Sequence, residues 1–284
     1  MKKLLAVLLT LLVLVGCADA RVTPSTNNEI FTVGNITIDD NKLFDVMKTV
    51  DGGQLVMAQA ERDLSKDVVD DTLEAKAAEE LAKTKESLGD RFEEILKQLH
   101  IENEQAYVDL YILPALRMES LIKSTIEADF ETLVSDYKPM KARILQTDSK
   151  EKAAEALAKV QAGEDFGTVA TEFVGANATY KGDEKIYNIK GTEFPSVVAK
   201  FITVQEAPGL SEVLVDEANG VSYIVQIIET QADRFKDELL EQWTNDTTMV
   251  KTYKIKLFKD ANFAVYDKDI VAGMKKNFGD FLPQ

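Results

Sequence analysis

The order of apolar and polar positions changes period several times along the chain. Leu4 to Val15 is one continuous apolar run broken only by Thr10. Glu29 to Ile38 holds two short β-prone runs about Gly34-Asn35, a turn signal. Asp39 or Asp40 is placed to cap a helix that carries Leu43, Phe44, Met47 and Val50 on one face, and Gly52-Gly53 is expected to break it. Residues 54–87 repeat apolar side chains mostly at helical spacing, from Leu55 and Ala58 to Ala77 and Leu81. After Gly89-Asp90, Arg91 to Gln98 reads as a short helix. Ile101 to Glu104 starts another, running to about Val134 with a kink at Pro114.

The character changes at Lys138-Pro139. Lys141 to Gln146 reads as a strand. Asp148 and Glu151 resemble a capping box opening a helix that ends at Ala162-Gly163. A second helix runs from Glu164 to about Phe173, residues 174–184 are loop, and Lys185 to Ile189 is a short strand. Phe194 to Phe201 is a short helix opened by Pro195. Glu212 to Val215 and Val221 to Ile228 are strands joined at Asn219-Gly220. The order β-α-α-β-α-β-β describes a small α+β domain behind a mostly helical lobe. Helices follow from Asp233, from about Thr247 to Lys259 and from Asp267, with Asn262 to Val265 β-prone between the last two.

Charge and rare residues narrow the chemistry. The 284 residues carry a net charge of −16, which argues against a nucleic-acid partner. Glu29 to Lys138 holds 12 basic and 25 acidic residues, whereas residues 231–284 balance at nine and nine. The basic stretch Lys251, Lys254, Lys256 and Lys259 suggests a tail that docks on the acidic first lobe. One Cys excludes an intramolecular disulfide, and one His, His100, excludes chemistry that needs two imidazoles. No cofactor and no metal is expected.

The Leu4–Val15 run follows Lys2 and Lys3 and would span roughly 18 Å as a helix, too short for a bilayer core of ~30 Å. It reads as the core of a signal peptide over residues 1–16. Leu14-Val15-Gly16-Cys17 resembles the lipobox of bacterial lipoproteins. That resemblance implies Cys17 as the lipidated mature N-terminus, carrying acyl groups such as palmitate. Residues 17–28 then form a polar tether.

Together these features resemble the PrsA-type foldase lipoproteins of Gram-positive bacteria. Val33-Gly34-Asn35-Ile36-Thr37 with Asp39-Asp40, Ala162-Gly163-Glu164-Asp165-Phe166, Ala199-Lys200-Phe201, and Phe258 to Phe263 with Asp267-Lys268-Asp269 are similar to stretches of that family. The resemblance implies a SurA-like chaperone lobe over 29–138, a parvulin-like peptidyl-prolyl isomerase domain over 139–230, and a helical segment over 231–284 that packs on the first lobe. It implies the extracytoplasmic face of the cell membrane as the location, unfolded or newly exported polypeptides as partners, and a homodimer.

Several positions depart from the family. Arg143 stands where it places a first catalytic His, and Tyr223 where it places a second. The acid or Cys expected near Ala176 is absent, and Lys190 replaces a Met of the proline cup. The reading is a chaperone whose parvulin-like domain has lost isomerase catalysis. Phe194 and Phe201 are candidates for the cup, and Phe44, Met47, Tyr107, Tyr111 and Met118 for a client groove. An active prolyl isomerase and a solute-binding lipoprotein are the alternatives.

Overall fold

The structure is a computed structural model that describes residues 23–283. The expected signal peptide and Cys17 lie outside the described residues. The elements of the first half are β1 (Glu29–Val33), β2 (Ile36–Asp39), α1 (Asp40–Ser65), α2 (Leu73–Leu88), α3 (Arg91–Gln98), α4 (Glu104–Tyr107), a π-helical turn (Val108–Ile112), α5 (Leu113–Ala128) and α6 (Phe130–Tyr137). They continue with β3 (Pro139–Thr147), α7 (Lys150–Gln161), α8 (Phe166–Phe173), β4 (Lys181–Asn188), α9 (Ser196–Ile202), β5 (Gly209–Leu210), β6 (Leu214–Asp216) and β7 (Val221–Glu229). The last are α10 (Lys236–Asn245), α11 (Thr247–Asp260) and α12 (Lys268–Asn277). This is an α+β chain. Among the described residues no helix is long and apolar enough to cross a membrane.

The chain forms two compact units. The first holds 23–125 together with 247–283, and the second holds 126–246.

In the first unit the hairpin β1–β2 pairs Val33 with Ile36 around Gly34, whose φ of +60° suits the turn. Asp39 caps α1 by accepting from the Lys42 backbone N–H at 2.8 Å. Helix α1 runs unbroken through Gly52-Gly53, contrary to the break expected there. The pair instead makes room for α12. A Cβ on Gly52 would sit 3.3 Å from Ile270 Cγ1, and one on Gly53 3.0 Å from Met274 Cγ. Close helix approach offsets the cost of two mid-helix glycines, about 1 kcal/mol each. Asp267 caps α12, accepting from Asp269 and Ile270 N–H, and meets buried Lys48 of α1 at 3.2 Å. Of the basic stretch, Lys254 meets Glu61 at 2.6 Å, whereas Lys251 pairs with Asp280 and Lys256 with Asp260. Residues 262–266 are irregular, not a strand.

In the second unit an antiparallel sheet runs in the order β4-β3-β7-β5, with β6 also paired to β7. Helices α7 and α8 cover one face through Ala153, Ala156, Phe166, Val169 and Phe173 against Leu145 and Ile224. Helix α9 covers the other through Val198 and Ile202. Two local expectations shift. Ser149, not Asp148, caps α7, accepting from the Lys152 N–H at 3.2 Å. Strand β4 starts at Lys181, inside the expected loop. Gly182 permits this: a Cβ there would lie 2.2 Å from Ala170 Cβ, and its φ is +85°.

The boundaries drawn at 138/139 and 230/231 fall inside this unit. Trp243 of α10 is fully buried, stacks near Phe130 and Tyr137 of α6, and donates its indole N–H to Asn188 Oδ1 at 3.2 Å.

Candidate functional site

Strand parity decides which side chains can meet in the second unit. On β3, Met140, Ala142 and Ile144 point to the α9 face, and Leu145 points to the α7–α8 face. On β7, Tyr223, Val225 and Ile227 share the α9 face with them, and Ile224 points the other way.

Arg143 and Tyr223 therefore lie on opposite faces of the sheet. Their side chains do not converge in this structure. Arg143 instead pairs with its cross-strand neighbour Glu184, Nη2 to Oε2 at 3.1 Å. Its guanidinium lies over the start of α8, where a Cβ on Gly167 would meet Nη1 at 2.9 Å. Its role is to tie β4 and α8 to the central strand. The β3 residue directly opposite Tyr223 is Gln146, whose side-chain oxygen accepts from the Thr179 N–H at 3.0 Å.

The α9 face of the sheet is a packed apolar layer edged by aromatic side chains. Tyr180 meets Tyr223 edge to face at 6.1 Å, and Tyr187 meets Phe194 at 5.5 Å. Phe194 and Phe201 are half-buried and pack against the same cluster. Burial pushes the Tyr187 hydroxyl up to about 12, with Tyr180 and Asp183 adding to it. Burial also raises Tyr180 and Tyr223, the latter with help from Asp216. All three stay neutral near pH 7 and supply no charge to a bound imide. On the opposite side of the sheet the loop after α8 is pinned by Asp148, whose Oδ1 accepts the Ala176 N–H at 3.2 Å.

The client-groove candidates of the first unit fall into two groups and one exclusion. Met118 is 4% exposed and belongs to the core, so it is withdrawn as a surface candidate. Phe44 and Met47 sit at the start of α1. Tyr107 and Tyr111 stack on each other at 5.2 Å, and Tyr107 meets Phe92 at 5.3 Å. The neighbouring Leu110 is held by Arg62, near the other end of α1. Met47 and Arg62 are 15 residues apart on one helix, about 22 Å. The candidates fall at two separate places, with Met47 and Tyr111 exposed and Phe44 and Tyr107 half-buried. His100 is exposed at a helix end of the first unit in a left-handed conformation, φ +54°, whereas the cup belongs to the second unit.

No family model matches the chain. Similarity to curated proteins extends along its length. It is 28% identical over 302 residues to foldase protein PrsA 3 of Bacillus anthracis, covering 99% of both chains. It is 26% identical over 296 residues to foldase protein PrsA of Streptococcus gordonii, covering 94% of this chain and 93% of that protein. The chain is PrsA-like from end to end. A solved structure of the PrsA peptidylprolyl isomerase of Bacillus cereus aligns with 89% of it at 19% identity and a TM-score of 0.47. That of PrsA from Streptococcus pneumoniae aligns with 88% at 20% identity and a TM-score of 0.41.

The sequence reading of this PrsA-like chain missed Tyr180, Tyr187, Ile144 and Gln146 as cup residues. The alternation Met140, Ala142, Ile144 already marks one face of β3, and following it would have excluded Arg143. Tyr180 and Tyr187 carried no such signal, because the stretch that holds them has no clear alternation of its own.

Proposed function

We propose that the chain is an extracytoplasmic foldase that acts as a chaperone for exported polypeptides, with a parvulin-like domain that does not speed prolyl isomerisation. The observation that carries this reading is the cup itself: its floor is Ala142, Ile144, Tyr223 and Val225, and the chain's single His lies in the other unit. Twisting an X–Pro bond meets a barrier of ~18–20 kcal/mol. An apolar aromatic cup can hold a prolyl ring, but it lacks the imidazole pair of the family it resembles.

Lipid on Cys17 and residence at the outer face of the membrane belong to the same reading, supported by the lipobox-like Leu14 to Cys17 and by the PrsA likeness. A homodimer is carried over from the resemblance alone. Clients are held weakly at exposed apolar side chains of the first lobe such as Leu110 and Tyr111, and the net −13 over residues 29–138 favours basic segments.

A paired assay on the mature protein tests the proposal. It should suppress aggregation of an unfolded client while leaving the isomerisation rate of a short proline peptide unchanged. A saturable rate enhancement would make it an active isomerase using a different pocket.

A further inference from the structure

The hairpin β1–β2 is a two-stranded ribbon, a form that is marginal in water by itself. One of its faces carries Phe31, Val33 and, across the strand, Ile36, all exposed; Val33 is 63% exposed. Strand β2 runs directly into α1, whose first turns carry Val46, Met47 and Val50 on one stripe, with Val50 77% exposed. At 100° per residue that stripe lies opposite Lys48 and Gly52, which meet the C-terminal helix, and next to Gly53, where Met274 of that helix comes closest. Among the described residues of the unit, nothing buries either the hairpin face or the stripe.

The chain leaves the molecule beside this patch. Thr26 Oγ donates to Asp40 Oδ2 at 2.5 Å, and Asn41 donates to the Thr26 carbonyl at 3.2 Å and to Asn27 Oδ1 at 2.9 Å. The Asp40 N–H donates to the Asn28 carbonyl at 3.0 Å. Residues 26–28 are thus stitched to the start of α1, and only eight residues separate Thr26 from Cys17. A flexible segment of that length has a root-mean-square span of about 16 Å and a full reach of about 30 Å.

We infer that the hairpin face and the first turns of α1 lie on the lipid bilayer as a second, non-covalent contact, with the tether holding them against it. This rests on the proposed lipid at Cys17. Two arguments select the bilayer over a soluble partner. A standard interface between freely diffusing proteins uses some 20–30 residues on each side, and this patch offers a handful. A tether this short raises the local concentration of the surface to the millimolar range or above, so a weak apolar contact is still populated.

The polar surroundings differ from those of a basic membrane-binding helix. Residues 29–51 hold five carboxylates, Glu29, Asp39, Asp40, Asp45 and Asp51, against Lys42 and Lys48. Attraction must come from apolar area alone, and anionic lipid weakens it.

The test couples the mature chain through Cys17, its only thiol, to a maleimide lipid in vesicles, so the tether exists whether or not the native Cys carries lipid. Phe31→Trp reports contact through quenching by phosphatidylcholine brominated in its acyl chains, and buried Trp243 supplies a constant background. The expected result is about twofold quenching of the added signal in phosphatidylcholine, reduced when phosphatidylglycerol is included and partly restored by salt. Combining Phe31→Trp with Val33→Ser and Val50→Ser should abolish it. Val69→Trp, an exposed site beyond the far end of α1, should show none.

Absence of quenching in the tethered chain overturns the inference. Protection by an unfolded client without lipid quenching overturns it too and hands the surface to client binding. A spectral shift that grows only with protein density on the vesicle also overturns it and assigns the surface to a second copy. Mass spectrometry of native Cys17 separately tests the lipid on which the inference rests.

Discussion

Arg62 reaches across from the end of α1 to donate from Nη2 to the backbone carbonyl of Leu110 at 3.0 Å. That carbonyl is the one Pro114 leaves without its usual partner, because proline, four residues on, has no N–H. The π-helical turn at Val108–Ile112 sits at the same place, with the Leu113 N–H reaching five residues back to Val108. The irregularity caused by Pro114 is thus stabilised by a side chain from another helix. Arg62→Ala should cost about 1 kcal/mol in urea unfolding. In a Pro114→Ala background the same change should cost clearly less, since alanine at that position supplies the missing donor. Equal costs in the two backgrounds would detach Arg62 from the proline.

The notch at Gly53 predicts a graded series. Gly53→Val adds volume 3.0 Å from Met274 and should destabilise by about 1–3 kcal/mol. Gly53→Val combined with Met274→Ala should recover part of the loss. A Val variant as stable as the parent would mean that α12 is not held at this distance.

Lys48 and Asp267 form an ion pair in which each side chain is 2% exposed. A hydrogen bond from Lys48 to Asp45, followed by the one to Asp267, holds the Lys48 ammonium above its ordinary value, so it is charged throughout the neutral range. Lys48→Met takes that positive charge away from the buried carboxylate of Asp267. The expected cost is about 3 kcal/mol, read as a lower urea midpoint. Lys48→Met with Asp267→Asn should be less damaging than Lys48→Met alone.

The face assignment makes a gain-of-function prediction. Ile144 and Tyr223 share the cup face on neighbouring strands, one diagonal step apart, about 7 Å between backbones. Ile144→His with Tyr223→His should give a measurable rise in prolyl isomerisation over the parent. Arg143→His with Tyr223→His should give none. The reverse outcome would overturn the strand parity described above.

Acid should loosen the first unit in a defined window. Hydrogen bonds from the Thr72 hydroxyl and N–H, then from Ser120, hold the Asp70 carboxyl down to about 2. Between the ordinary value of 3.8 and that value, the unfolded chain binds the proton and the folded chain does not. Stability from this group is therefore complete above about pH 4 and is lost as pH falls toward 2. Asp70→Asn should flatten the fall in thermal midpoint over that interval and leave it unchanged near neutrality apart from a constant offset.

Features set by neighbouring residues were legible in the sequence. The Gly34-Asn35 turn and an irregularity at Pro114 follow from local chemistry. Features set by distant residues were not. Gly52-Gly53 reads as a break because the methionine that needs the space lies more than two hundred residues on. Arg143 reads as a cup residue only until register is known, and the pairing of β3 shifts between Lys141 and Ala142. Met118 reads as available because a helix with apolar residues on several faces does not show from within which face is covered.

The first unit is assembled from both ends of the chain, with the whole of the second unit lying between them in sequence. A polypeptide threaded across a membrane from its N-terminus can complete the continuous middle portion while translocation is still under way. The notch on α1 stays empty until Met274 has emerged. In a chain exported that way, α12 is the last of the described helices to appear, and its arrival closes the first unit.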